Sequence, residues 1–87
     1  MSQETSLRAY YDKVLPHLGE RQAQVYEVFN REGMDLTNME AATRLHWSIN
    51  RVTPRVLELR RLGFLVLNQR RKCRITGNVA MAWKVKC

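Results

Sequence analysis

The arrangement that most constrains the fold is a pair of short helix patterns separated by a turn of a few residues. Thr37 with Glu40 three positions later forms a capping box, in which each side chain accepts a hydrogen bond from the other residue's backbone N–H. His46-Trp47 forms the turn, Ser48 caps the second helix, and Gly63 follows its last turn. The apolar positions recur at helical spacing, namely Met39, Ala42 and Leu45 in the first helix and Ile49, Val52, Val56, Leu59 and Leu62, with Leu57 beside them, in the second. The pair therefore forms a helix-turn-helix.

Two further helix patterns precede this pair. Thr5–Leu15 has an apolar stripe at helical spacing and ends at Pro16, because the residue before a proline is pushed out of the helical region. Glu20–Arg31 follows, and the short apolar segment Met34–Leu36 is typical of a small strand. The stripe on the N-terminal helix either packs against the core or joins two copies of the chain into a homodimer.

The C-terminal part of the chain is strand-like. Phe64–Leu67 is apolar and rich in strand formers, Asn68–Lys72 continues it as a polar arm, and Thr76-Gly77-Asn78 is a turn signal. The last strand alternates, with Val79, Met81, Trp83 and Val85 predicted to face inward and Ala80, Ala82, Lys84 and Lys86 outward. The order predicts an α+β fold: a three-helix core and a hairpin over residues 19–87, preceded by an N-terminal helical arm over residues 1–18.

Charge divides the chain into two halves of opposite sign. Residues 1–47 have five Lys or Arg against seven Asp or Glu, a net charge of −2, whereas residues 48–87 have ten Lys or Arg against Glu58 alone, a net charge of +9. A surface without a charged partner usually mixes its signs, while segregated charge creates a directed field that attracts polyanions. The basic half therefore indicates a nucleic-acid partner, and its weak amphipathic character argues against a membrane surface.

The outward face of helix Ser48–Leu62 has side chains suited to reading a major groove. Arginine pairs with guanine, asparagine with adenine, and threonine contacts a phosphate or the thymine methyl group. The Ser48 hydroxyl and the helix N-terminus suit a phosphate oxygen. Pro54, in the second turn, is either tolerated as a bend or turns Asn50 and Arg51 toward the groove. The predicted contacts are Ser48, Asn50, Arg51, Thr53 and Arg55, and the alternative for the two arginines is an ordinary solvated position.

A second basic cluster lies on the hairpin, where four of the five residues from 70 to 74 are Lys or Arg. Neighbours on a strand point to opposite faces, so at least two of these charges share a side with the helix or lie along a phosphate backbone. The alternative is that they protect an exposed strand edge. The predicted contacts here are Arg70, Arg71, Lys72 and Arg74. Trp47 and Trp83 are predicted to be core residues.

Other chemistry has little support in the sequence. Cys73 and Cys87 stand without a CxxC spacing, and we expect both to be reduced. No grouping of nucleophile and base, Gly-rich phosphate loop or paired acids is present, so we expect no enzyme activity, metal, cofactor or small-molecule substrate. The apolar runs are far shorter than the ~20 residues that span a bilayer. The N-terminus lacks the features of a signal peptide, and a cytoplasmic location is expected.

Three segments, Leu36–Leu45, Ile49–Val52 and Leu57–Gly63, resemble the winged helix-turn-helix superfamily, especially MarR-like proteins and small stand-alone versions encoded by bacteriophages. Members usually insert the helix corresponding to Ser48–Leu62 in the major groove and lay the wing on the backbone or minor groove. The resemblance thus implies a winged-helix fold with the nine contacts named above. It also implies a location at the nucleoid, or in the host cytoplasm if a phage encodes the chain.

A narrower similarity to the Z-alpha domain, which binds left-handed nucleic acid, lies in Ile49-Asn50-Arg51-Val52 and Trp83-Lys84-Val85. Pro54 stands where that family has its key aromatic residue, and the wing prolines before Trp83 are absent. We therefore do not expect recognition of left-handed duplexes.

Taken together, these features predict a duplex-DNA-binding protein, either a transcriptional regulator or a phage DNA-transaction protein, that acts alone or as a homodimer. Two alternatives stay open. The basic face can instead dock an acidic partner protein, because a fold does not fix a function. RNA can also take the place of DNA.

Overall fold

The computed structural model describes residues 18–86. Three helices and three strands follow one another in this range: α1 Glu20–Glu32, β1 Leu36–Thr37, α2 Asn38–Leu45, α3 Ile49–Arg61, β2 Leu65–Lys72 and β3 Val79–Val85. No helix among them is long and apolar enough to cross a membrane. The predicted helix Thr5–Leu15, with its role in self-association, lies outside the described residues.

The strands form an antiparallel sheet in the order β1-β3-β2. β2 and β3 make a hairpin with a bulge between Leu67 and Gln69, and β1 pairs with the other edge of β3. The first strand lies at Leu36–Thr37 rather than at the predicted Met34–Leu36, because Leu36 pairs with Trp83 at the inner end of the hairpin. Helices, short strand and hairpin in this order form a winged helix, which confirms the predicted α+β fold.

The helix-turn-helix is defined by its caps. Thr37 and Glu40 form the predicted capping box, with Thr37 Oγ1 accepting from the Glu40 N–H at 3.2 Å and Glu40 Oε1 accepting from the Thr37 N–H at 3.1 Å. α2 ends at His46, whose φ of 59° turns the chain toward α3. Gly63 follows α3 with a φ of 88°, a conformation that glycine adopts without strain.

The core lies between the three helices and the inner end of the sheet. Val52, Val56 and Leu59 of α3 are fully buried, as their spacing predicts. The predicted inward positions Leu57 and Leu62 are wrong, since these side chains are 39% and 52% exposed. Leu57 lies on the side of α3 that faces the hairpin, and Leu62 is the C-cap residue beyond the packed turns.

The prediction for β3 is correct at its inner end only. Trp83 is buried, but Val79 and Met81 are 62% and 47% exposed, and Ala82, predicted to face outward, is completely buried. Toward the hairpin turn, the face that carries Val79 and Met81 borders an open cavity beside α3 instead of the packed core, so alternation there no longer separates core from solvent. β3 is the central strand, and Ala82 is buried beside Thr37, its directly opposed partner on β1.

Candidate nucleic-acid interface

The N-terminal half of α3 presents the predicted polar side chains to solvent. Ser48, Asn50, Arg51 and Thr53 are all exposed. Ser48 is the N-cap, but its hydroxyl makes no capping hydrogen bond. α3 continues through Pro54, which lacks the N–H that would otherwise bond to the Asn50 carbonyl. The exposed turn therefore offers free polar groups at the end of a helix where a phosphate or base edge can approach.

Arg51 is held by an aromatic side chain. Its guanidinium carbon lies 4.4 Å from the centre of the Trp47 ring, a cation–π contact. Trp47 is half-buried and packs against the core, as predicted, and its remaining surface carries Arg51. Stacking restricts the rotamers of Arg51 and reduces the entropy lost when the guanidinium binds a partner.

The Arg55 side chain forms an ion pair within the protein. Its guanidinium donates two hydrogen bonds to the Glu58 carboxylate, at 2.7 and 2.9 Å, and Gln22 of α1 donates a third at 2.8 Å. Hydrogen bonds from Arg55 and then from Gln22 lower the pKa of Glu58. Arg55 therefore lies on the flank of α3 that faces α1, and we do not include it among the proposed DNA contacts.

The β2–β3 hairpin is the wing of the fold, and its strand pairing places the basic side chains on two different faces. Arg70 pairs with Met81 and Lys72 pairs with Val79, whereas Arg71 pairs with Ala80. Directly opposed residues in an antiparallel ladder share a face, so Arg70 and Lys72 lie on the side that faces α3 and Arg71 lies on the other. This geometry agrees with the expectation that at least two of the four charges face the same way as the helix.

Arg71 is bound in a buried polar cluster. Its guanidinium donates to both carboxylate oxygens of Glu40, at 2.7 and 2.8 Å, and to Asp35 at 3.2 Å. Its side chain is only 17% exposed, and that of Glu40 is 1% exposed. Asn68 and Gln69 complete what we call the Arg71 cluster by donating to Asp35 at 2.7 and 2.8 Å. We therefore assign Arg71 a structural role and leave it out of the proposed interface.

Glu40 is the centre of this cluster. Beyond Arg71 it accepts hydrogen bonds from the backbone N–H groups of Thr37 and Arg74, the latter at 2.8 Å. Hydrogen bonds from Arg71 lower the pKa of Glu40 to about 2. Burial opposes this shift, and the hydrogen bonds from the two N–H groups add to it. A single carboxylate thus joins the start of α2 to the wing and fixes where the wing stands relative to α3.

The other cations of residues 48–87 form no salt bridge within the described residues. All eight are exposed, namely Arg51, Arg60, Arg61, Arg70, Lys72, Arg74, Lys84 and Lys86. Arg74 lies in the hairpin turn, where only its backbone N–H binds Glu40. Arg60 and Arg61 were not among the predicted contacts, although two consecutive arginines in the last turn of a basic helix are a signal that the sequence shows. Arg60 stacks over Trp83, with its guanidinium carbon 4.1 Å from the ring centre.

The described residues hold no group of three side chains suited to a metal ion. Cys73 is a buried free thiol, 3.0 Å from the Thr37 hydroxyl, while Cys87 lies outside the described residues. The burial of Cys73 gives it a packing role at the turn end of the wing.

Comparison with solved structures supports the fold. No family model matches the chain, and no curated protein matches it in sequence. The crystal structure of the adhesin competence repressor (AdcR) from Streptococcus pyogenes superposes with a TM-score of 0.55 over 99% of this chain, at 19% sequence identity. The chain spans 63% of the length of that protein. At this identity the likeness is one of fold.

Proposed function

We propose that this protein binds duplex DNA with α3 and the wing. The observation that carries the proposal is the set of seven exposed cations on these two elements that form no salt bridge, while the carboxylates of the same region are bound to Arg55 and Arg71. Duplex DNA is the common polyanion whose major groove admits a helix of this size.

In this proposal α3 and the wing contact different parts of the duplex. Asn50, Arg51 and Thr53 on α3 have the donors and acceptors that read base edges, and Ser48 suits a phosphate at the helix N-terminus. The wing contributes Arg70, Lys72 and Arg74, whose contacts to phosphates fix register and add affinity with little sequence preference. Because Glu40 and Arg71 position the wing, they support the interface without contacting DNA.

A regulatory role is part of the proposal. The fold is shared with a repressor, which favours transcriptional regulation, and a DNA-transaction protein of a phage is the alternative role. The winged helix over residues 19–87 is proposed to act with an N-terminal helical arm over residues 1–18, through which two copies associate. Sedimentation of the full chain and of a chain lacking residues 1–17 would test that association.

Fluorescence anisotropy tests the binding. We expect the full chain to bind a random-sequence duplex at about 50 mM salt and to lose most of that affinity at about 200 mM. The three wing cations alone give a slope of about −3 in a plot of log association constant against log salt concentration. Arg51→Ala should weaken binding, whereas the matched control Arg31→Ala, which removes an exposed arginine from α1, should not.

Two results would contradict the proposal. One is the absence of duplex binding at low salt. The other is stronger binding to single-stranded or double-stranded RNA than to the DNA duplex, which would assign the same face to RNA.

A further inference from the structure

A cleft runs between α3 and the hairpin. It consists of two adjoining cavities of about 570 and 360 Å³, which share Leu57, Arg60 and Trp83 as lining residues. We call it the α3–wing cleft. Each volume lies within the range of about 300–1,000 Å³ that is typical of ligand sites.

Exposed apolar side chains are grouped in the cleft. Seven large apolar side chains are exposed in the described chain, and four of them line the cleft: Leu57 at 39%, Leu67 at 49%, Val79 at 62% and Met81 at 47%. Scattered exposed apolar residues are normal in soluble proteins, but a contiguous group marks an interaction site. The register explains the grouping, because Leu67, Val79 and Met81 all lie on the hairpin face that points toward α3.

The rim of the cleft is cationic. Arg60 and Arg70 line the larger cavity, Arg60 and Arg61 line the smaller one, and no Asp or Glu is among the described residues that line either. Stacking on Trp83 holds Arg60 across the junction of the two cavities. The α3–wing cleft therefore combines exposed apolar side chains with guanidinium groups.

Duplex DNA complements the positive charge of this cleft but not its exposed apolar side chains. Protein–DNA interfaces are polar and rich in positive charge, and a duplex presents little apolar surface beyond the thymine methyl group. Methionine, aromatic residues and arginine, in contrast, are enriched at protein–protein interfaces. The four exposed apolar side chains therefore require a ligand that has large apolar groups as well as negative charge.

We infer that the α3–wing cleft binds a short acidic segment of a partner protein that carries large apolar side chains. The apolar side chains of the segment lie on Leu57, Val79 and Met81, and its carboxylates meet Arg60 and Arg70. This inference goes beyond the proposed DNA binding and does not depend on it. Because Arg70 and Thr53 belong to both surfaces, the acidic segment and DNA compete for the protein.

Selection from a displayed library of random twelve-residue peptides tests the inference without knowledge of the partner. We expect the full chain to enrich peptides that combine acidic and large apolar residues. The variant Val79→Ser/Met81→Ser should bind a synthetic copy of an enriched peptide about tenfold more weakly, the effect of about 1.4 kcal/mol. Both side chains are exposed, so the variant keeps its core. Leu62→Ser is the matched control, because Leu62 is 52% exposed and does not line the cleft.

Three outcomes would overturn the inference. The first is no enrichment, or enrichment of basic or uncharged peptides. The second is equal binding of the enriched peptide to wild type and to Val79→Ser/Met81→Ser. The third is a wild-type dimer that this variant converts to a monomer, which would assign the cleft to a second copy of the chain.

The failure of this inference is distinguishable from the failure of DNA binding. Val79→Ser/Met81→Ser should leave duplex affinity within about threefold of wild type, since it removes no charge. Arg51→Ala should weaken duplex binding and leave peptide binding unchanged, because Arg51 does not line the cleft. An enriched peptide should raise the apparent Kd for the duplex. Peptide binding without duplex binding would retain the cleft and reject the DNA proposal.

Discussion

Glu40→Gln is the substitution that most directly tests how the wing is held in place. The carboxylate of Glu40 is buried and accepts two hydrogen bonds from Arg71 and one each from the backbone N–H groups of Thr37 and Arg74. Glutamine keeps the size of the side chain but removes its charge, and its NH2 group cannot accept a hydrogen bond. The variant therefore leaves the Arg71 guanidinium with Asp35 as its remaining carboxylate.

The magnitude follows from the pKa of Glu40. Its lowering from 4.5 to about 2 corresponds to about 3 kcal/mol of stability at neutral pH. Loss of one partner from a buried ion pair costs about 3–5 kcal/mol, and the remaining Asp35 places the expectation near the lower end, about 3 kcal/mol. For a domain of this size, that loss lowers Tm by roughly 12–24 °C.

The pH dependence gives a second, independent readout. A carboxylate whose pKa is lower in the folded state than in the unfolded state contributes stability above its unfolded pKa and loses it as pH falls to its folded pKa. The difference in free energy of unfolding between wild type and Glu40→Gln should be complete above about pH 5, shrink between pH 4.5 and about 2, and vanish near the lower limit.

Urea unfolding followed by circular dichroism measures both quantities. Glu27→Gln is the control, because Glu27 forms an exposed pair with Arg31 at 3.7 Å, and we expect it to cost less than about 0.5 kcal/mol. Two results would refute the conclusion that Glu40 holds the wing in place. One is a difference in free energy of unfolding below about 1 kcal/mol between wild type and Glu40→Gln at neutral pH, and the other is a difference that persists undiminished near pH 2.

Three further predictions concern single side chains. Arg71→Met should destabilise the fold by an amount similar to Glu40→Gln, and the double variant should show non-additivity of at least about 1 kcal/mol in the same urea experiment. Lys72→Ala should weaken duplex binding on all sequences and reduce the salt slope by about one in an anisotropy titration, while a change confined to one sequence would contradict a phosphate contact. Gly63→Ala should cost about 1 kcal/mol in thermal unfolding, because the φ of 88° strains any residue with a Cβ although nothing lies within 4 Å of the added atom, and an unchanged Tm would contradict it.

The sequence by itself determined the elements and their order. Thr37 and Glu40 define the start of α2, Gly63 defines the end of α3, and Val52, Val56 and Leu59 form the buried face of α3. These features depend on residues within a few positions of one another, so the sequence alone predicts them. The segregation of charge is also a property of the sequence, and the structure distributes it over one helix and one hairpin.

The tertiary structure alone decided which cations are free. Arg70, Arg71 and Lys72 are equivalent in the sequence, yet Arg71 reaches Glu40, 31 positions away, while its neighbours face the other side of the hairpin. The exposure of Val79 and Met81 was likewise decided by the tertiary structure, because their face of the hairpin borders an open cavity beside α3. Strand register and contacts between distant segments arise only when the whole chain packs, and a period-two pattern cannot show which face of a strand is covered or for how many residues.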